Sequence, residues 1–198
     1  MPTHLLPVRV RSIALILAAA LLAAAGMAAV AARSATSNAD AAATTGSVHI
    51  LMKVTGHNTG VFKGDSPQKN RADQIVVLGY QFEVDSPRDA SSGQATGKRQ
   101  YKPIVVTHEL DGASPQFVKA AAINELLSSV VIDFFRVDKT GKEVNFYRVT
   151  LTNGGVASVK QYSSGATVLE DDSLAFQTIT QEDLIAKTTF TDNWQSVI

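Results

Sequence analysis

The chain has 198 residues, of which 45% are hydrophobic and 18% charged, and its formal net charge is zero, so it is neither disordered nor collagen-like. The absence of cysteine excludes disulfides, thiolate metal sites and cysteine nucleophiles. No concentrated basic stripe offers a footprint for nucleic acid or an anionic membrane, and the small cluster Lys98, Arg99, Lys102 reads as a solvated loop.

The opening segment is an address. A short basic region ending at Arg11 precedes an uncharged run from Ser12 to Ala32, with Ile13, Leu15, Ile16, Leu17, Leu21 and Leu22 in its first half. The second half thins to alanine and ends in Ala29-Val30-Ala31-Ala32, small residues at the spacing a signal peptidase accepts. The run is also close to the ~20 residues that span a bilayer, so residues 1–32 are a signal peptide or a retained signal anchor. The weakly apolar alanine end favours cleavage. Cutting after Ala32 would leave 16 basic groups against 18 acidic ones. Residues 33–46 are small, polar and low in complexity, which reads as a linker. The expected compartment is beyond the inner membrane, periplasmic or secreted. Membrane contact is expected only through the N-terminal segment, if it is uncleaved.

From Ser47 to Ile198 the pattern is mostly period two, and the length suits one domain burying roughly 70% of its extended surface. SVHILMKV is a first strand. Gln74–Val84 sets Val76, Leu78, Tyr80, Phe82 and Val84 on one face. Asp85–Gln100 is a long polar loop. Lys102–Leu110 is a strand with Ile104, Val106 and Leu110 facing one way. Ser114 as N-cap and Pro115 at the first helical position start a helix that runs out near Leu126. SSVVIDFFRV and EVNFYRVTLTN follow, joined by the hairpin loop Asp138–Lys142, and Gly154-Gly155 breaks the chain before VASVKQYSS. Strands near SLAFQTI and LIAKTTF lead to Asp192-Asn193-Trp194. The expectation is a mainly β fold, a barrel or sandwich of about eight strands with one short α-helix. Phe134 against Phe135 and Phe146 against Tyr147 give strands that are apolar on both faces. Their second face meets either another subunit or a thicker core in which the helix covers it.

Reactive constellations are not evident. His49, His57 and His108 are isolated, and no histidine follows His108-Glu109 at position 112. Gly93–Lys98 is too short for a phosphate loop and lacks the hydroxyl residue after the lysine. Ser163-Ser164-Gly165 is no nucleophile elbow. The acidic pairs Asp171-Asp172 and Glu182-Asp183 read as solvated turns, because adjacent strand residues point to opposite faces. No catalytic residue, metal site or cofactor is expected, and the chain is not read as an enzyme.

Three stretches carry a resemblance: Thr96–Ala122 (TGKRQYKPIVVTHELDGASPQFVKAAA), Val131–Asn153 (VIDFFRVDKTGKEVNFYRVTLTN) and the terminal Asp192–Trp194. In this order they resemble the haemolysin-coregulated protein (Hcp) family of type VI secretion, over nearly all of residues 47–198. The resemblance implies an Hcp-like β-barrel flanked by a helix. It also implies assembly as a homo-hexameric ring, rings that stack into a tube, and a lumen able to carry secreted effector proteins. It places Asp85–Gln100 at the ring face, with Thr96, Gly97, Lys98 and Arg99 contacting a neighbour. The helix from Ser114 to about Glu125 then lies near the lumen, through Ser114, Pro115, Phe117 and Lys119. Arg136 and Glu143 would pair across the hairpin. Two features depart from the family: the N-terminal leader, and Gln181-Glu182-Asp183 where an aromatic-rich strand usually continues. The leader motivates an alternative, an exported Hcp-like binding module acting outside the contractile tube.

Overall fold

The computed structural model describes residues 47–194; the expected leader (1–32) and linker (33–46) lie outside the described residues. Every strand pairing in it is antiparallel. The wall is built from β1 (His49–Gly56), β3 (Ile75–Gln81), β6 (Ile104–Glu109), β7 (Leu127–Val137), β8 (Glu143–Ser164) and β9 (Thr167–Ala175). In space the order is β8-β7-β1-β3-β6-β9, and β9 pairs back onto β8 to close a barrel. A hairpin of β10 (Thr178–Asp183) and β11 (Thr188–Asn193) extends the sheet beyond β8, with β11 outermost among the described strands. Short β2 (Gly60–Val61) pairs with β1, and β4 (Val84–Asp85) pairs with β5 (Gln100–Tyr101). One helix, α1 (Ser114–Ala122), joins β6 to β7.

The strand division differs from the expected eight: short β2, β4 and β5 add to the count, while two expected strands merge into β8. Gly154-Gly155 does not end a strand: β8 runs on for 22 residues and changes partner there. Leu127 of β7 pairs with Gly154, and Ala175 of β9 pairs with Gly155. A side chain at Gly154 would run into the backbone of Ala175, so glycine lets the strand turn from one wall to the next. The expected strand near SLAFQTI is instead the end of β9 and the start of β10, and the expected polar loop 85–100 is a β-arm with its own ladder.

The inward face carries Met52, Val54, Ile75, Val77, Ile104, Val106, Val130, Ile132, Val149, Leu151 and Leu174. The expected face of β3 is wrong at its start. Ile75 and Val77 point into the core, while Val76 and Leu78 are exposed. A register irregularity between Val77 and Gly79 then shifts the alternation, and Tyr80 and Phe82 return to the core. One slipped residue exchanges every side chain between faces, so no uninterrupted period-two reading can describe this strand. On β6, Ile104 and Val106 face inward as expected, but the third inward position is His108; Leu110 is exposed.

The two-sided strands are covered within the subunit. Phe134 meets Tyr80 edge to face at 5.1 Å and Tyr147 at 5.7 Å. On the opposite face Phe135 stacks on His49 at 5.1 Å, and the Arg71 guanidinium lies 4.0 Å over its ring. That face is covered by the segment between β2 and β3, which contains a 3-10 turn at Lys69–Arg71. The face is thus covered within the subunit, but by this segment and not by the helix as the thicker-core reading expected.

The helix starts one residue earlier than expected. Ala113 occupies the cap position, and Ser114 and Pro115 lie within the first turn. No side chain caps the first turn; the entry is held instead by Asp111, whose Oδ1 accepts the Ala113 N–H at 2.8 Å, and by Ser114 Oγ, which accepts the Asp111 N–H at 3.2 Å. The helix also stops short of Leu126. Asn124 takes φ 52°, and the N–H groups of Asn124 and Glu125 return to Ala121 and Ala120. This left-handed termination satisfies the last carbonyls and throws the chain back toward the barrel.

Candidate functional site

The arm between β4 and β5 is held at its root by the C-terminal strand. The Arg99 guanidinium donates twice to the Asp192 carboxylate and, at 2.9 Å, to the Asn193 carbonyl. Tyr101 donates its hydroxyl to Asp192 at 2.6 Å, and Trp194 lies against Tyr101 and Phe176. The hydrogen bonds from Arg99 and Tyr101 outweigh burial and hold the Asp192 carboxyl below its usual range. Arg99 is thus engaged inside its own subunit.

Thr96, Gly97 and Lys98 are exposed along the arm. The Thr96 N–H donates to the Pro87 carbonyl at 3.0 Å, and Arg88 bridges to Ala95. At the tip, the Asp89 carboxylate accepts from the backbone and hydroxyls of Ser91 and Ser92, which lowers its pKa to about 2. The arm is therefore pre-shaped, with its polar tip turned to solvent.

The expected lumen face of α1 divides. Phe117 is fully buried, packing edge to face on Phe62 at 5.1 Å, and Ser114 is also buried. Neither can line an open channel. Pro115 and Lys119 are exposed, with Val118 beside them, and Lys119 donates to Thr59 Oγ1 at 3.2 Å. Just beyond the helix, Glu125 is buried and accepts the Asn58 and Thr59 N–H groups and the Thr59 hydroxyl. These bonds, led by the hydroxyl, lower its pKa.

Arg136 and Glu143 do not pair. Val137 stands opposite Glu143, and Arg136 stands opposite Val144 with its guanidinium 4.9 Å over Phe146. Glu143 instead contacts Arg71 at 2.9 Å and His49 at 2.8 Å, tying the 3-10 segment to the barrel.

Large apolar side chains remain outside at several places, among them Val118, Ile123 and Leu126 on and just beyond α1. Val76, Leu78 and Leu110 line a cleft over β3 and the end of β6, rimmed by Asp65, Glu109 and Asp111. Along the edge hairpin and its turn, Ile185, Phe190 and Trp194 are each more than half exposed.

A buried polar cluster went unseen in the sequence. Glu170 and Asp172 alternate on β9 and both point inward, so Asp172 is no solvated turn residue. The register sets Glu170 opposite His108, and Asp172 opposite Val106. His108 Nε2 lies 2.9 Å from Asp172 and 3.4 Å from Glu170. Burial pushes the Asp172 carboxyl up to about 6, against the hydrogen bond it shares with His108. Burial also pulls the His108 pKa down, but the Asp172 and Asp111 carboxylates outweigh it and the net shift is upward. Among the described residues these three form a group whose ligand atoms lie within 4.8 Å of one another. The clue available beforehand was the i, i+2 spacing of Glu170 and Asp172, which places both on one strand face.

A sequence model described as "Type VI secretion system effector, Hcp" matches residues 51–182, about two thirds of the chain. The "Major exported protein" of Pseudomonas aeruginosa is 30% identical over 164 residues, spanning 74% of this chain and 95% of that protein. A solved structure titled "Crystal structure of Hcp protein" has a TM-score of 0.70 at 23% identity, covering 74% of this chain and 99% of the other. The Hcp1 protein of E. coli EAEC 042 has a TM-score of 0.69 at 24% identity, covering 75% of this chain and 99% of that one. "Secreted protein Hcp3 from Pseudomonas aeruginosa" has a TM-score of 0.65 at 26% identity, covering 76% and 100% respectively. The structural neighbours share the barrel, and the matched sequence runs from β1 into β10, so the chain belongs to the Hcp family of type VI secretion proteins.

Proposed function

We propose that the chain is a structural, ring-forming Hcp protein, assembling as a homo-hexamer whose rings can stack into a tube and carry secreted effector proteins. It acts by assembly and not as an enzyme. The observation that carries this reading is the apolar surface left outside a closed barrel, above all in the Val76–Leu78–Leu110 cleft and along the edge hairpin with Ile185 and Phe190. Two different patches suit a head-to-tail contact, which closes into a ring when the rotation allows. The aromatic pairs Phe134/Phe135 and Phe146/Tyr147 no longer support assembly; the support passes to these exposed residues. The arm carrying Thr96, Gly97 and Lys98 is proposed to reach the next ring, and Pro115 and Lys119 to face the lumen. Leu78→Asp or Phe190→Asp should convert a hexamer to monomers with an unchanged far-UV spectrum. A parent that is monomeric at high concentration would overturn the reading.

The leader favours a second reading, in which the chain is exported to the periplasm or beyond and works as a binding module outside the tube. Residues 1–32 are then a signal, 33–46 a linker and 47–198 the domain. N-terminal sequencing of protein from cell fractions separates the two. Processing near Ala32 with secretion independent of the contractile apparatus supports the module; an intact cytoplasmic chain supports the tube.

A further inference from the structure

The cluster of His108, Glu170 and Asp172 has more acceptors than protons to satisfy them. His108 Nδ1 lies 2.6 Å from the Glu109 carbonyl oxygen. A carbonyl only accepts, so the ring donates there, and in the neutral ring the lone pair of Nε2 faces inward. That nitrogen meets Asp172 Oδ2 at 2.9 Å and Glu170 Oε1 at 3.4 Å, two further acceptors when ionised. Gln161 Nε2 donates to Glu170 Oε2 at 2.5 Å and so fixes the carboxylate with Oε1 turned toward the ring. Glu170 Oε1 and Asp172 Oδ1 are buried without a hydrogen-bond partner, in side chains that are fully buried. Two carboxylates around one imidazole leave negative charge uncompensated, and an unpaired buried charge is strongly unfavourable.

A cation relieves each of these defects. Bonds of about 2.0–2.2 Å from one tetrahedral ion place its ligand atoms ~3.3–3.6 Å apart. The 3.4 Å between His108 Nε2 and Glu170 Oε1 falls in that range, and the 2.9 Å between Nε2 and Asp172 Oδ2 would widen slightly on binding. A carbonyl orienting the histidine and an amide orienting the glutamate supply the outer support that metal ligands need. The imidazole selects against calcium and magnesium, whose preference is for oxygen alone.

We propose that His108 Nε2, Glu170 Oε1 and the Asp172 carboxylate bind one divalent transition cation, zinc above all, which clamps β6 to β9 inside the barrel. Its burial makes the role structural. Loading occurs as the chain folds, because a closed barrel offers the ion no open path. The proposal is independent of ring assembly.

The test unfolds the full chain in guanidinium with chelator and refolds it in chelator-free buffer with zinc chloride, magnesium chloride or no metal. After exhaustive dialysis, the zinc-refolded protein should retain about one zinc per chain and melt several degrees above the metal-free protein. Magnesium should give no such rise. The Asp172→Asn variant, refolded with zinc, should lose the retained metal. Zinc below about a tenth of an equivalent in the parent, with no change in melting, would overturn the site and leave a cluster held by shared protons. Equal retention by a folded Asp172→Asn chain would also overturn it, by placing the metal elsewhere. The parent comparison stands without the variant, so misfolding of Asp172→Asn leaves the test intact.

Discussion

Arg99 and Asp192, 93 positions apart in sequence, are joined by two parallel hydrogen bonds that tie the root of the β-arm to the last strand. The side chains are mostly buried, at 17% and 11% exposure, so the pair is shielded from the solvent that weakens surface ion pairs. Asp192→Asn keeps the shape and removes the charge. It should lower the melting temperature by a few degrees and speed protease cleavage within residues 85–100. An unchanged cleavage rate would show that the arm is held by other contacts.

Acid should weaken the same contacts. In the folded chain the Asp192 carboxyl is held down by Arg99 and Tyr101, and Glu125 by Thr59 and the Asn58 N–H. Ordinary carboxylates titrate near 4, so the unfolded chain takes up these protons first as the pH falls. The stabilisation is complete above about pH 5 and is lost through pH 4 and below. Chemical denaturation at several pH values should therefore show the stability gap between parent and an Asp192→Asn, Glu125→Gln double variant narrowing from pH 5 to pH 3. A constant gap would contradict the assignment.

Phe117 and Lys119 are two residues apart on α1 and should behave oppositely. Phe117→Ala removes a ring with no exposed surface and should cost about 3–5 kcal/mol in urea unfolding. Lys119→Ala, at an exposed position, should stay within about 0.5 kcal/mol.

The helix start has a similar contrast. Asp111→Ala removes the acceptor for the Ala113 N–H and should cost about 1 kcal/mol. Ser114→Ala removes an acceptor for the Asp111 N–H and should cost about 0.5–1.5 kcal/mol. A neutral Asp111→Ala would mean that the Ala113 N–H finds another acceptor.

Alternation and turn residues made most of this architecture legible, because a half-buried strand must repeat every two residues and Pro115 can enter a helix only near its start. The failures come from places where pairing overrides the local pattern. The irregularity at Gly79 inverts the early face of β3, and Gly154-Gly155 bends a strand where a break was expected. Single-strand patterns carry no register. The meeting of His108 with Glu170 and Asp172 spans 64 residues for the hydrogen-bonded pair, and nothing local announces it. The same blindness misassigned Glu143, whose partners Arg71 and His49 come from other segments.

Light scattering of the purified protein across a concentration series tests the central proposal most directly. It should find one species of about six subunit masses, which Leu78→Asp reduces to a folded monomer. A parent that stays monomeric at the highest concentration reached would contradict assembly through the exposed cleft and edge.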